Sequence, residues 1–194
     1  MKIAVKGTFG YIDSKKRLQL IISLVLFSAV LVIFTTGYIL NDKSKASYFT
    51  VLAILMVLPA AMMFVNYLIL VPFHSISKNN YDEVVSRIKE GDTLYTDFVI
   101  TSKQKVMYLT YIAIRGTHVI GLVGREKEDV AYIENYLSTN IKMRGLPYIV
   151  TLFNNENEFL ARLSSPNDKE ESTAIIDSMD NEKDLKAFLV SIMV

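Results

Sequence analysis

Two stretches of this chain run without a charge for longer than a water-soluble helix normally allows. Leu18 to Leu40 is 23 residues with no charged residue and no proline, and 15 of them are Leu, Ile, Val or Phe. Each of those favours bilayer insertion by about 0.3–0.6 kcal/mol at a central position, so the sum decides the matter. As a helix the stretch measures about 34 Å, against a hydrocarbon core of about 30 Å. Tyr48 to Phe73 is 26 residues, also uncharged. It exceeds the required length, so a tilt or bend is expected, with Pro59 as the point of kinking. The connector Asn41-Asp42-Lys43-Ser44-Lys45-Ala46-Ser47 is short and polar. The pair predicts a transmembrane helical hairpin. The first apolar run is too long for a cleaved secretion signal, whose apolar region spans about 7–15 residues.

Charge divides the chain into three zones. Residues 1–17 carry five basic residues (Lys2, Lys6, Lys15, Lys16, Arg17) and one acid, Asp13. Residues 18–73 carry only Asp42, Lys43 and Lys45, and residues 74–194 carry 14 basic and 18 acidic residues. Basic residues near membrane ends mark the cytoplasmic side. Five precede the first span, two stand in the connector, and Lys78, Arg87 and Lys89 follow the second span. The connector is therefore expected outside and both termini in the cytoplasm of a cell (inner) membrane. Tyr38 and Tyr48 fall at the outer interface, Phe73 and His74 at the inner one.

Composition excludes other classes. With 51% hydrophobic and 21% charged residues, the chain is neither disordered nor of low complexity. The cysteine count of zero excludes disulfide scaffolds, thiolate catalysis and cysteine metal sites. Neither span holds an ionisable residue, which opposes an ion-coupled transporter or voltage sensor. Asn66 is the only amide deep in the second span, and an unpaired amide in hydrocarbon is costly. It is the one candidate site residue, a transmembrane contact either within the hairpin or to a second copy. Gly37, Ala60 and Ala61 permit close helix approach.

Residues 74–194 suit a single α/β domain. Tyr81, Val84, Val85 and Ile88 recur at helical spacing within Ser75–Glu90, closed by Gly91. Thr93–Thr101, Val106–Ile114 and His118–Val123 predict three strands in an antiparallel meander. A crossover helix over about Glu126–Lys142 leads to a fourth strand, Tyr148–Phe153, expected parallel to a neighbour. Asn155 and Glu158 form a capping pair for a helix through Leu163. Helical pieces near Ser172–Met179 and Lys183–Ile192 complete the order α-β-β-β-α-β-α-α. Ile3, Val5, Phe9 and Tyr11 alternate with Lys2, Ala4, Lys6 and Thr8. That period predicts a short N-terminal strand on an edge of the sheet, which would then have five strands; the alternative is a segment lying in the lipid interface with its basic residues on anionic headgroups, leaving a four-stranded mixed sheet.

Other constellations fall short of a site. Gly116, Gly121 and Gly124 surround the third strand, but no Lys-Ser/Thr follows to make a phosphate loop, and Glu126, Glu128 and Asp129 already supply negative charge there. His74 and His118 are the only histidines. Asp180, Glu182 and Asp184 resemble the start of a calcium loop, but Leu185 and Ser191 stand where Gly and Glu are required.

From Ser75 to Phe153 the element order is similar to the restriction-endonuclease-like (PD-(D/E)xK) nucleases. That resemblance implies a divalent metal held by carboxylates on the second and third strands. Here those strands read Val-Met-Tyr-Leu-Thr-Tyr-Ile-Ala-Ile and contain Gly121-Leu122-Val123, so a copy without catalysis is implied. Over its whole length the chain also resembles small two-span membrane proteins of Gram-positive bacteria, a group that brings no assigned chemistry.

The expectation is a membrane-tethered, non-enzymatic interaction or regulatory module with no assigned catalytic, cofactor or metal residue. Its partners would be the lipid bilayer, a second copy of itself and an unidentified protein, but not nucleic acid, which the acidic body repels. An enzyme of nuclease-like or nucleotide-binding type would instead place Asp97 beside Glu83 or Glu90. An oligomeric pore or transporter subunit would turn Asn66 toward a wet axis. A binding module would expose an apolar patch on the body.

Overall fold

The computed structural model describes residues 4–41, 47–102, 104–125, 128–165 and 178–193. These form six helices and a four-stranded mixed sheet, grouped in two compact units.

The first unit comprises residues 12–74. Helix α1 (Tyr11–Leu40) starts seven residues before the uncharged stretch, carrying Asp13, Lys15, Lys16 and Arg17 on its first turns. Helix α2 (Tyr48–Leu70) is N-capped by Ser47, whose hydroxyl accepts from Thr50 N at 3.3 Å, and continues through Pro59. Both are long and apolar enough to cross a membrane. The helices pack antiparallel. Phe27 meets Phe64 edge-on at 6.4 Å, and Gly37 leaves the space that Phe49 occupies, where a Cβ would overlap it. At the other end Lys16 Nζ donates to Phe73 O at 2.5 Å. The buried positions include Ala53, Ala60, Gln19 and Ser23, whereas Leu24, Val25, Leu31, Val32, Ile54, Leu55 and Leu58 point outward and are exposed.

The second unit comprises residues 2–11 and 75–194. Its order is α3 (Lys78–Arg87), β1 (Thr93–Thr101), β2 (Val106–Arg115), β3 (His118–Val123), α4 (Val130–Met143), β4 (Ile149–Phe153), α5 (Glu156–Ser164) and α6 (Ser178–Ile192). The strands lie in the order β1-β2-β3-β4, with β1–β2 and β2–β3 antiparallel and β3–β4 parallel. One core packs α4 (Ile133, Leu137, Ile141) and α6 (Leu185, Phe188, Leu189) on the sheet, and the other packs α3 (Val84) and α5 (Phe159, Leu160, Leu163).

Three expectations need correction. Ala4–Gly10 forms turns, not a strand. Gly7 and Gly10 both have φ of +78°, a conformation that interrupts extended pairing. The segment still meets the sheet edge, because Thr96 N donates to Gly7 O at 2.9 Å. Helix α4 starts at Val130, later than expected, because Asp129 caps it by accepting from Tyr132 N at 3.0 Å. The flanking helix α3 begins at Lys78, where Ser77 caps it, rather than at Ser75. The helical piece near Ser172–Met179 lies outside the described residues except for its end, where α6 begins.

Both sheet edges are blocked, which guards against edge-to-edge association. Gly7 and an isolated bridge from Ile100 to Met193 cover β1. On β4, Leu152 N donates to Glu134 Oε2 at 3.0 Å. Lys6 Nζ donates to Met193 O at 2.8 Å, tying the N-terminal segment to the end of α6.

Candidate binding cleft at the carboxyl ends of β3 and β4

Parallel neighbours β3 and β4 end at the same margin of the sheet, and their chains then part. One leads to α4 on one face, the other to α5 on the opposite face. Such divergence opens a crevice beyond the strand ends, where open α/β sheets place their ligands. The crevice here has a volume of about 670 Å³ and is lined by Asn80, Thr110, Tyr111, Arg125, Asn154 and Glu156, among others.

A single inserted residue builds its floor. The β2–β3 register slips by one between Leu109 and Tyr111, making Thr110 a β-bulge. Opposite it on β1, between the pairs Thr96–Tyr111 and Phe98–Leu109, Asp97 has φ of +55°. Side chains in a strand alternate faces, so one extra residue reverses the pattern beyond it. Met107 and Leu109 therefore share a core with Ile112 and Ile114, while Tyr111 and Ala113 turn to the α3/α5 face. Without the bulge Tyr111 would point away from the crevice. Gly124 closes the same feature, since a Cβ there would overlap the Tyr108 ring and press on Thr110 Oγ1.

Tyr111 is fully buried, its ring stacked on Phe159 at 5.7 Å and 14°. Its hydroxyl has no hydrogen-bond partner among the described residues. A buried polar group left so costs about 1–3 kcal/mol, and in native structures such exceptions concentrate where something else binds. Burial raises its pKa, and the nearby carboxylates of Glu156, Asp97 and Glu83 push the same way. The hydroxyl therefore keeps its proton and acts as a donor.

The rim is made of amides and opposed charges. Asn155 caps α5 by accepting from Asn157 N at 2.9 Å, leaving its amide nitrogen for the cleft. Glu156 and Glu158 occupy the first turn of α5, so the positive end of that helix is already neutralised. Arg125 stands across the opening. Glu128 anchors the loop beside it by accepting from Tyr108 N at 3.2 Å.

The sequence-derived candidates lie elsewhere. Asn66 is half-buried on α2, and its side chain makes no hydrogen bond to a described residue. Asp97 is buried on β1, where its Oδ1 accepts from Ile76 N at 3.4 Å and fixes the chain leading into α3. Glu83 pairs with Arg87 at 3.2 Å on the surface of α3. Glu182 pairs with Lys186 at 2.6 Å and accepts from Thr93 Oγ1 at 3.2 Å, a helix-start role. His74 lies 3.5 Å from Lys16 Nζ, and His118 sits at the start of β3. Among the described residues no group of three or more His, Cys, Asp or Glu side chains is placed to hold a metal. The unit's exposed large apolar residues include Val85, Met143 and Ile149, on three different elements.

Sequence reading missed Tyr111 and Arg115. Arg115 Nε and Nη2 grip Asp92 at 2.6–3.2 Å, partly buried, and its Nη1 donates to Leu163 O at 2.8 Å in a buried bond. This pairing fastens the β2–β3 turn to α5. The signal available was a lone Arg at the end of a long apolar run. Comparison with known protein families, curated proteins and solved structures finds no match for this chain.

Proposed function

We propose that this protein is a two-span membrane protein whose α/β unit is a binding module with a regulatory role, taking an uncharged small molecule in the crevice beyond β3 and β4. The carrying observation is the buried Tyr111 hydroxyl, a protonated donor without a partner among the described residues, on the floor of that crevice. Carboxylates around it disfavour an anion, and the first turn of α5 carries its own negative charge. Amide rims and a phenol donor suit a ligand rich in hydroxyl and carbonyl oxygens, such as a sugar or nucleoside.

Membrane insertion is supported by the outward apolar side chains of α1 and α2, only 11% of whose most apolar windows is buried. In water that surface would drive aggregation; in lipid it is solvated. The basic residues flanking α1 favour a cytoplasmic location for both termini and the α/β unit. Asn66, whose side chain makes no hydrogen bond among the described residues, favours self-association through the spans, since an amide in hydrocarbon seeks a partner.

The full chain, purified in detergent, tests the reading by thermal unfolding against a panel of sugars and nucleosides. A stabilising compound at 100 times its Kd should add about 2.7 kcal/mol, and Tyr111→Phe should abolish the response. The reading fails if every member of the panel leaves the transition unmoved, or if the phenylalanine variant responds like wild type. Topology is tested separately. Reporter fusions between Asn41 and Ser47 should report the outside, and fusions after Val194 the cytoplasm.

A further inference from the structure

A second cleft, of about 400 Å³, lies in the helical unit between the first turns of α1 and the end of α2, lined by Asp13, Lys16, Arg17, Leu20, Tyr67 and His74. Its charges divide into a closed set and an open one. Lys16 is committed to structure. Its ammonium pairs with Asp13 at 3.2 Å, donates to Phe73 O at 2.5 Å and lies 3.5 Å from His74 Nδ1. The side chain is 13% exposed. That cluster staples the two helix ends together and cancels its own charge through Asp13.

Arg17 is different. It is exposed, and its guanidinium makes no hydrogen bond or ion pair with a described residue. Tyr67, stacked on Phe64 at 6.2 Å, likewise leaves its hydroxyl uncommitted among the described residues. His74 closes the cleft on that side, with Nδ1 turned toward the Lys16 ammonium at 3.5 Å. The cleft thus offers one net positive charge and two kinds of donor, a guanidinium and a phenol. Leu20 supplies an apolar wall on the side where the uncharged stretch begins.

We infer that this cleft binds the phosphodiester of an anionic glycerophospholipid, with Arg17 as the charge partner and Tyr67 as an additional donor. This inference rests on the membrane reading above. Position supports it, because the cleft sits where the charged turns of α1 meet the uncharged stretch that begins at Leu18, which is headgroup depth for an inserted hairpin. Geometry supports it too. A guanidinium grips two phosphate oxygens at once, and a singly charged phosphodiester matches a net charge of one. A free phosphate shares the oxyanion but lacks acyl chains to lie along Leu20 and the outward apolar faces.

The test uses the full chain reconstituted in nanodiscs of phosphatidylcholine alone or phosphatidylcholine mixed with phosphatidylglycerol. Lipids that stay with the protein on release are counted by native mass spectrometry. Wild type should retain one phosphatidylglycerol in preference to phosphatidylcholine. R17Q should lower that preference by about tenfold or more, the scale of a lost charge-assisted bidentate contact. Y67F should lower it less. K15Q removes the same charge from the same turn but does not line the cleft, so it should retain the preference. Equal losses in R17Q and K15Q would show a diffuse charge effect and overturn the site. Inorganic phosphate that displaces the retained lipid at equimolar concentration would overturn the lipid assignment. Failure of the membrane reading looks different: the chain would not enter phosphatidylcholine nanodiscs at all, and the lipid site would fall with it.

Discussion

The two units of this protein are built on opposite rules. In the α/β unit large apolar side chains face inward, on two cores either side of the sheet, and buried charge is either paired, as in Arg115–Asp92, or held by a backbone N–H, as at Asp97. In the helical unit small and polar residues (Ala53, Ala60, Ser23, Gln19) are buried and many Leu, Ile and Val face out, with buried Ile12, Leu70 and Phe73 confined to the ends of the helices or just beyond. Each arrangement is sensible for one solvent and wasteful in the other. The same substitution, adding or removing a charge, therefore has opposite consequences in the two units, and this gives direct ways to break the comparison.

The largest effect is expected at Arg115. Arg115→Met leaves Asp92 buried without its guanidinium and Leu163 O without its donor. Breaking one partner of a buried pair costs about 3–5 kcal/mol, so thermal unfolding of the full chain in detergent should fall by many degrees. Replacing both members, as in R115M/D92L, should recover much of the loss, because the uncompensated charge is then gone. A single variant as stable as wild type would show that the pair is hydrated rather than enclosed.

Next comes Leu58→Lys, in the middle of α2 at a position 65% exposed. If water surrounds this helix, the change is harmless or improves solubility. If lipid does, it costs about 3 kcal/mol of insertion free energy, and the chain should shift from the membrane pellet to aggregates or degradation. Carbonate extraction of cell fractions decides which. A variant that turns up soluble and folded would dissolve the contrast between the units.

Tyr111→Phe sharpens the contrast within the α/β unit. Removing a buried hydroxyl with no partner should stabilise the empty protein by about 1 kcal/mol while abolishing ligand-induced stabilisation. A residue whose loss raises stability and removes binding is held for function rather than for folding. Coincident loss of stability would assign the hydroxyl a structural role instead.

Legibility in the sequence followed the same division. The helical unit was readable because its signal is cumulative: 23 uncharged residues outweigh any local ambiguity, and only the helix start was misplaced, since charge marks where lipid ends and not where helical hydrogen bonding begins. The strands of the α/β unit were readable from apolar runs, and the crossover implied that β4 lies parallel to a neighbour, which the structure shows to be β3. The cleft was not readable. Its floor depends on the bulge at Thr110, which moves Tyr111 from one face to the other. In Val106–Ile114 nearly every residue is apolar, so no alternation existed for the slip to disturb. The N-terminal strand failed for the converse reason. Its alternation was real, but Gly7 and Gly10 at positive φ turn the backbone out of the extended region.

The smallest effect concerns the loop beside the cleft and tests how far the inward-facing rule reaches. Glu128 is half-buried, and burial raises its pKa above the ordinary carboxylate range, offset by the hydrogen bond from Tyr108 N and by the charges of Arg125 and Lys105. A raised folded-state pKa means that the protonated form is the one folding prefers. Glu128 therefore favours the fold below about pH 4.3, the ordinary glutamate value, and that contribution is lost as pH rises through the elevated value. Gln reproduces the neutral carboxyl and keeps an oxygen to accept from Tyr108 N. Glu128→Gln should thus stabilise the chain at pH 7 by less than about 1 kcal/mol, given screening at a partly exposed site. The difference should vanish as pH approaches 4. If the gap instead widens on acidification, the ionised carboxylate is the stabilising form, and the loop tolerates charge in a way the rest of that unit does not.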